Sequence, residues 1–190
     1  MNMEFTEMQS LLKSSITNLR YLHTLGVIDT AVSLSEKFGC DKEKARISAL
    51  LHDAAKPMAI SDMIEISVSE GFAPDEFEIS APPVLHAPAG AAVARRMYGI
   101  TDPEILNAIR AHTIGCIRPS KLDAILFVAD FIEPGRKPFK GLEEARRLAE
   151  YDLLAALKTC ARLSGEYVLS QGGKMHPTTI KMINDTEDLI

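Results

Sequence analysis

The stretch ISALLHDAAK, residues 47–56, carries the strongest signal in this chain. Its apolar residues recur at helical spacing, and Pro57 follows it as a helix breaker. Near its end stands the adjacent pair His52-Asp53, and a neutral imidazole beside a carboxylate offers a divalent metal two ligands from one turn of backbone. The stretch therefore predicts a helix that runs to Lys56 and carries half of a metal site near its C-terminal end.

Helical periodicity continues along the rest of the chain, and the alternation typical of strands is nearly absent. Caps and breakers delimit the helices, with Asp41, Asp102 and Ser120 as candidate N-caps. Helices are predicted over residues 5–38 (one or two, ending at Gly39), 42–56, 61–70, from 82 or 83 to 99, 103–112, 122–132, 142–170 (two) and 177–190. We therefore predict an all-α fold, with residues 1–190 forming a single domain, a helical bundle of about eight or more helices.

Composition and charge narrow the class of protein. The chain has 190 residues, of which 46% are hydrophobic and 25% charged, as in ordinary globular proteins. A net charge of −5 argues against general nucleic-acid binding, and no apolar run approaches the roughly 20 residues that span a bilayer. Three widely spaced cysteines indicate neither a disulfide framework nor a thiolate zinc site. We expect a cytoplasmic protein without nucleic-acid or membrane partners.

Two further candidate ligands lie in apolar helical surroundings like those of the His52-Asp53 pair. His23 lies in the segment LRYLHT, and Asp130 follows ILFVA, which predicts a position in or near the core. Carboxylates are rarely buried unless they are paired or coordinated, although a histidine at a helix end often only bonds a backbone carbonyl. Side chains from separate helices can converge in a bundle, and two histidines with two carboxylates suit iron, manganese or zinc better than calcium or magnesium. The four residues predict one metal site.

A second group of polar residues suggests anion binding. His86 and His112 could be surface histidines, could bind a second metal ion, or could donate to phosphate oxygens. Lys56 lies about one turn after Asp53, so phosphate contact is as reasonable as a solvated side chain. Arg136, in a Pro-Gly loop, could hold a phosphate in a bidentate manner.

Six local sequences carry a resemblance to a known family. They are RYLHTLGV (20–27), LLHDAAK (50–56), HAPAGA (86–91), HTIG (112–115), ADFIEPGR (129–136) and MHPTT (175–179). The order His, His-Asp, Asp resembles the HD superfamily of metal-dependent phosphohydrolases. The six segments together resemble its bacterial YqeK-type branch, the symmetrical diadenosine tetraphosphate hydrolases. The similarity extends over residues 20–184.

The resemblance implies an HD-type helical domain and an enzyme that hydrolyses diadenosine tetraphosphate to two ADP with a metal-activated water. It implies a divalent metal, iron first and manganese or zinc as alternatives, held by His23, His52, Asp53 and Asp130, with a second metal near His86 and His112 as an option. The implied catalytic residues are Asp53, Lys56, His86 and His112. The implied nucleotide contacts are His23, His52, Asp53, Ala54, Ala55, Lys56, His86, His112, Thr113, Asp130, Arg136, Gly173, Lys174, Met175 and His176.

Other functions remain open on the sequence. Ile114 and Cys116 stand where the resemblance leads us to expect more polar residues, which bears on the nucleotide contacts. An HD-type phosphatase or phosphodiesterase acting on other nucleotides, including deoxynucleotides, is one alternative. A non-catalytic sensor that binds metal and nucleotide is another, although the intact ligand set with Lys56 and Arg136 argues against it. Apolar residues on the terminal helices could support a homodimer.

Overall fold

The computed structural model describes residues 3–189, and over that range the fold consists of helices without strands. The α-helices are α1 (Phe5–Ser15), α2 (Asn18–Phe38), α3 (Lys42–Leu51), α4 (Ile60–Ser69), α5 (Glu76–Ser80), α6 (His86–Tyr98), α7 (Pro103–Ala111), α8 (Lys121–Ile132), α9 (Leu142–Ala149), α10 (Leu153–Ser170) and α11 (Pro177–Asp185). A 3-10 turn at Pro82–Val84 precedes α6. The all-α prediction is confirmed. No helix among the described residues is long and apolar enough to cross a membrane.

The predicted N-caps account for the starts of three helices. The Asp41 side chain accepts from the backbone N–H of Glu43 at 2.8 Å, and Asp102 accepts from that of Glu104 at 2.9 Å. Ser120 and Asp123 form a capping box at the start of α8. Such caps satisfy N–H groups that have no partner inside the helix, and each typically contributes about 1 kcal/mol.

The helix that leads to His52 is shorter than predicted. It ends at Leu51, and residues 52–57 form consecutive turns in which the N–H of Lys56 donates to the carbonyl of Asp53 at 3.0 Å. Pro57 disfavours helical conformation in the residue before it. In addition, His52 Nδ1 lies 2.7 Å from the carbonyl oxygen of Ala49, which would accept from the N–H of residue 53 if the helix continued.

Other predicted boundaries also differ from the structure, among them the start of α6, which lies at His86 after the 3-10 turn and not at residue 82 or 83. Helix α5 was not predicted; it is a single turn or so, built on a capping box between Asp75 and Glu78. The last helix ends at Asp185, while the prediction extended it to residue 190, which lies outside the described range. Short helices of this kind carry too few apolar repeats for a periodic signal.

Helix α8 lies at the centre of the core and brings the other helices to one place. Its residues from Ala124 to Ala129 are all buried, and α2, α3, α7 and α10 pack against it. Helix α6 passes close to the turn after α3, because Gly90 has no side chain. A Cβ there would lie 3.0 Å from the carbonyl oxygen of His52. This packing gathers the start of α6 and the ends of α3 and α7 beside α2 and α8.

Candidate metal centre

Six side chains from these five helices meet in one cluster. His23 lies in α2, His52 and Asp53 follow α3, His86 begins α6, His112 follows α7, and Asp130 lies in α8. They form two groups in which the candidate ligand atoms all lie within 4.8 Å of one another. One group is His23, His52 and Asp130, and the other is Asp53, His86 and His112.

Asp53 lies between the two groups. Its Oδ2 is 3.6 Å from His52 Nε2, while its Oδ1 is 3.3 Å from His86 Nε2 and 3.9 Å from His112 Nε2. Lys56 Nζ also lies 3.3 Å from Oδ1, and Arg20 pairs with Oδ2. The sequence grouped Asp53 with His23, His52 and Asp130. The geometry makes the carboxylate common to both groups.

Hydrogen bonds to the backbone orient three of the four histidines in the cluster. Each places Nδ1 near the carbonyl three residues earlier: His52 at 2.7 Å from Ala49, His86 at 2.8 Å from Pro83, and His112 at 2.7 Å from Ile109. A carbonyl oxygen only accepts, so each Nδ1 carries the hydrogen. In a neutral ring Nε2 then holds a lone pair, and all three lone pairs face the cluster.

The converging lone pairs fit a bound cation. His86 Nε2 and His112 Nε2 lie 3.0 Å apart, and neither can donate to the other in this tautomer. His52 Nε2 is buried and has no hydrogen-bond partner within residues 3–189. Lys56 Nζ, 3.0 Å from His86 Nε2, offsets only part of this excess of acceptors. Imidazoles whose Nδ1–H is already bonded elsewhere are the usual donors to a metal ion, so the residues fit such a group.

The electrostatic surroundings hold these groups in the states that metal binding requires. Burial and the neighbouring His52 lower the pKa of His112 to about 4, and burial with His112 and Lys56 lowers the pKa of His86. Burial alone would raise the pKa of Asp53, but the electrostatic influence of the neighbouring His52 and Lys56 side chains outweighs it and holds that pKa well below its usual value. Two imidazoles are thus neutral and the carboxylate is ionised near neutral pH.

Three cations border the cluster. Arg136 donates to Asp130, through Nη2 to Oδ1 at 2.5 Å and through Nε to the backbone oxygen at 2.8 Å. Arg20 and Lys56 both contact Asp53, and all three side chains are about one-third exposed. Partly exposed cations that are paired with carboxylates can bind a phosphate while their stems remain fixed.

The predicted nucleotide contacts fall in two places. Ala54 and Ala55 are buried in the turn that joins Asp53 to Lys56, and the Thr113 hydroxyl, next to His112, is buried without a hydrogen-bond partner in the described chain.

The C-terminal turn is not brought into the histidine cluster. Gly173 and Lys174 are exposed, and Met175 is half-buried. His176 is buried; it accepts from the N–H of Thr178 and bonds Asp75 at 2.9 Å. It lines a cleft of about 490 Å³ together with residues that flank His112, among them Ala111 and Ile114.

Two residues at the cluster were outside the predicted site. Arg20 appeared only within the 20–27 segment; its position one turn before His23 was the available signal. Glu133, whose Oε1 lies 3.1 Å from His23 Nδ1, appeared only within the 129–136 segment. It follows Asp130 by one helical turn, so helical spacing could have placed it near the same site.

Comparisons with known proteins agree with this architecture. The HD domain model matches residues 20–135. A Bacillus subtilis (strain 168) protein named bis(5'-nucleosyl)-tetraphosphatase, symmetrical, is 38% identical over 94% of this chain and 95% of its own length. A Halalkalibacterium halodurans protein of the same name is 36% identical over 92% of both chains.

A solved structure is also similar. The crystal structure of a predicted HD superfamily hydrolase involved in NAD metabolism, from Clostridium acetobutylicum, has a TM-score of 0.90 and 39% identity, with 96% of each chain covered. The matched segment of the family model contains all six cluster residues. This protein therefore belongs to the HD domain family of metal-dependent phosphohydrolases, together with the bis(5'-nucleosyl)-tetraphosphatases named symmetrical.

Proposed function

We propose that this protein hydrolyses diadenosine tetraphosphate symmetrically to two molecules of ADP. The observation that carries the proposal is the cluster of Nε2 lone pairs and carboxylates bordered by Arg20, Lys56 and Arg136. Hydrolysis of a bridge of four phosphates needs cations along the phosphate oxygens, and it also needs a centre that activates water. Relatives that match nearly the whole chain bear the name of that activity.

The proposed ligands are His23, His52, Asp53 and Asp130, and iron is the proposed metal, with manganese or zinc as alternatives. The second group favours a second ion at His86 and His112, because their lone pairs face each other across 3.0 Å and neither is free to donate to a phosphate. A divalent ion bound in such a site lowers the pKa of water and polarises a phosphoryl oxygen.

The chain's own residues bind and orient the substrate. Lys56 and Arg136 contact phosphate oxygens and offset the negative charge that develops on them. Asp53 holds Lys56 and Arg20 in place through ion pairs on its two oxygens. A water oxygen bonds to one central phosphorus, the bridging P–O bond breaks, its electrons leave with the second ADP, and the water proton is released.

The nucleoside is proposed to extend from the cluster toward the C-terminal turn. His176 and residues close to His112 in the chain, among them Ala111 and Ile114, line a cleft whose volume of about 490 Å³ lies in the range of small-molecule sites. Ala54, Ala55 and Thr113 would contact phosphates near the cluster, and Gly173, Lys174, Met175 and His176 would contact the distal part. A homodimer and a cytoplasmic location remain predictions.

Product analysis tests the activity. Protein purified without chelator is incubated with diadenosine tetraphosphate, and the products are separated by anion-exchange chromatography. ADP alone supports the proposal, whereas AMP with ATP contradicts it. Phosphate release from other mononucleotides or deoxynucleotides would favour a general phosphatase, and ADP binding without turnover of any dinucleotide would favour a sensor. A His52→Ala variant that kept full turnover and full metal content would contradict the site itself.

A further inference from the structure

We propose that Glu133 is a positioning residue that holds the His23 ring in its metal-binding orientation, and that Gly26 is required because it makes room for Glu133. The inference rests on the proposed metal site, since His23 is one of its ligands. It concerns the third residue after Asp130, at the point where α8 ends.

His23 cannot be oriented in the way that the other three histidines of the cluster are. His52, His86 and His112 lie at helix ends, where the carbonyl three residues earlier is available to Nδ1. His23 lies inside α2, where the backbone carbonyls already accept from the helix itself. The carbonyl of Arg20, three residues before it, also accepts from the Thr24 hydroxyl at 3.1 Å. The ring of His23 therefore needs an acceptor from outside its own helix.

Glu133 supplies that acceptor. Its side chain is buried, and its Oε1 lies 3.1 Å from His23 Nδ1. Its Oε2 accepts from the N–H of Gly135 at 2.5 Å. With Nδ1 bonded to Glu133, Nε2 of His23 points to Asp130, 3.0 Å away. Both carboxylate oxygens thus accept from N–H donors, which fixes the direction of the ring.

Two glycines leave the space that Glu133 occupies. A Cβ at Gly26 would lie 2.6 Å from Glu133 Oε2, and a Cβ at Gly135 would lie 2.9 Å from the same atom. Neither glycine has a positive φ, so backbone conformation does not explain them. Gly26 lies in the interior of α2, where glycine destabilises a helix relative to alanine. Close approach of the carboxylate is the physical reason for a glycine there.

The backbone of Glu133 is itself anchored. Its N–H donates to the carbonyl of Ala129 at 3.0 Å. From α9, Arg146 donates to the carbonyl of Glu133 through Nη2 and to that of Ile132 through Nε, both at 3.0 Å. These bonds occupy carbonyls that the end of α8 would otherwise leave without partners. Arg146 of α9 thus helps to fix the backbone from which the Glu133 carboxylate reaches His23.

The inference can be tested without an activity assay. The metal-free full-length protein is titrated with Mn²⁺, and binding is monitored by calorimetry and electron paramagnetic resonance. Glu133→Gln has one acceptor oxygen for two N–H donors. The affinity of one class of Mn²⁺ site should therefore fall by about 10- to 100-fold. Glu144→Gln, which removes an exposed carboxylate on α9, is the matched control and should bind as the unsubstituted protein does.

The decisive comparison adds His23→Ala. If Glu133 acts through His23, Glu133→Gln should cause no further loss of Mn²⁺ affinity in the His23→Ala protein. An equal loss in both backgrounds would show a general structural role and overturn the inference, as would unchanged affinity in the single variant. Because the readout is metal binding, failure here is distinct from failure to hydrolyse a dinucleotide.

Gly26→Ala provides a second variant if Glu133→Gln does not fold. Alanine normally strengthens a helix interior, but here its Cβ would displace the carboxylate. The affinity of the same class of Mn²⁺ site should fall, while the helical circular dichroism signal is retained. Unchanged Mn²⁺ binding by a folded Gly26→Ala protein would overturn the inference.

Discussion

The two groups of the cluster differ in exposure and in what holds them. In the first, His52 is fully buried and oriented by the carbonyl of Ala49, but the side chains of His23 and Asp130 are 17% and 24% exposed and are supported by other side chains. In the second, those of Asp53, His86 and His112 are 5%, 6% and 1% exposed, and backbone carbonyls orient both imidazoles. Both imidazoles of the second group are therefore oriented by backbone groups at helix ends. His23 and Asp130 are partly accessible to solvent and depend on contacts between distant residues, so their side of the first group is the one from which substrate and water would enter.

Replacement of Asp53 should have the largest effect, because its carboxylate is common to both groups. Asp53→Asn keeps the volume but removes the charge that pairs with Lys56 and Arg20. We expect loss of metal from both groups and a fall in turnover by more than about 10³-fold, as for loss of a principal charged group in a catalytic centre. Elemental analysis beside product assays measures both. Retention of one full metal equivalent would show that the groups are independent.

Replacement of Lys56 should reduce turnover without removing the metal. Lys56→Met keeps an apolar stem but has no ammonium group. The activation barrier should therefore rise by about 3 kcal/mol and turnover should fall accordingly, with metal content unchanged. Steady-state rates and elemental analysis test this, with Lys140→Met as the control because that side chain is exposed on the loop after Arg136. A large loss of metal would mean that Lys56 acts on the ligands rather than on substrate.

One histidine of each group, His112 and His23, should make contributions to stability that change with pH in opposite directions in the metal-free protein. The folded-state pKa of His112 is about 4, below the unfolded value, so the unfolded chain binds the extra proton between about pH 6.5 and 4. The free energy of unfolding should therefore fall by about 3 kcal/mol as the pH drops through that window. Urea unfolding across pH measures this, and His112→Asn should flatten the dependence.

The contribution of His23 to stability should change with pH in the opposite direction. Burial alone would lower its pKa, but the bonds to Asp130 and Glu133 raise it above the unfolded value. Its contribution to stability is therefore complete below the unfolded pKa and is lost as the pH rises through the folded pKa. His23→Asn should remove stability at low pH and change little at high pH. The same sign for the His23 and His112 variants would contradict the difference between the surroundings of these two histidines.

Removal of the α8 cap should have the smallest effect and should leave the cluster intact. Ser120→Ala removes the side-chain acceptor for the N–H of Asp123 at the end of α8 opposite to Asp130. We expect a loss of about 1 kcal/mol in the free energy of unfolding and no change in metal content. Thermal denaturation and elemental analysis test it. Loss of metal would show that the whole of α8, rather than its C-terminal end, positions Asp130.

Local patterns allowed most helices to be predicted from the sequence. Asp41, Asp102 and Ser120 begin helices as expected, because a cap is a local interaction between neighbouring residues. The end of α3 was wrong by five residues, since the bond from the His52 ring to Ala49 competes with the helix. Helix α5 was missed because its five residues are too few for a periodic signal.

The sequence by itself determined the helical class, the candidate ligands and the family, because spacing, caps and local motifs are properties of neighbouring residues. Only the tertiary structure decided that Asp53 lies between two groups, that Arg20 and Glu133 join them, and that His176 bonds Asp75 instead of entering the cluster. These contacts join residues far apart in the chain. They depend on how α2, α3, α6, α7 and α8 pack, which no local pattern specifies.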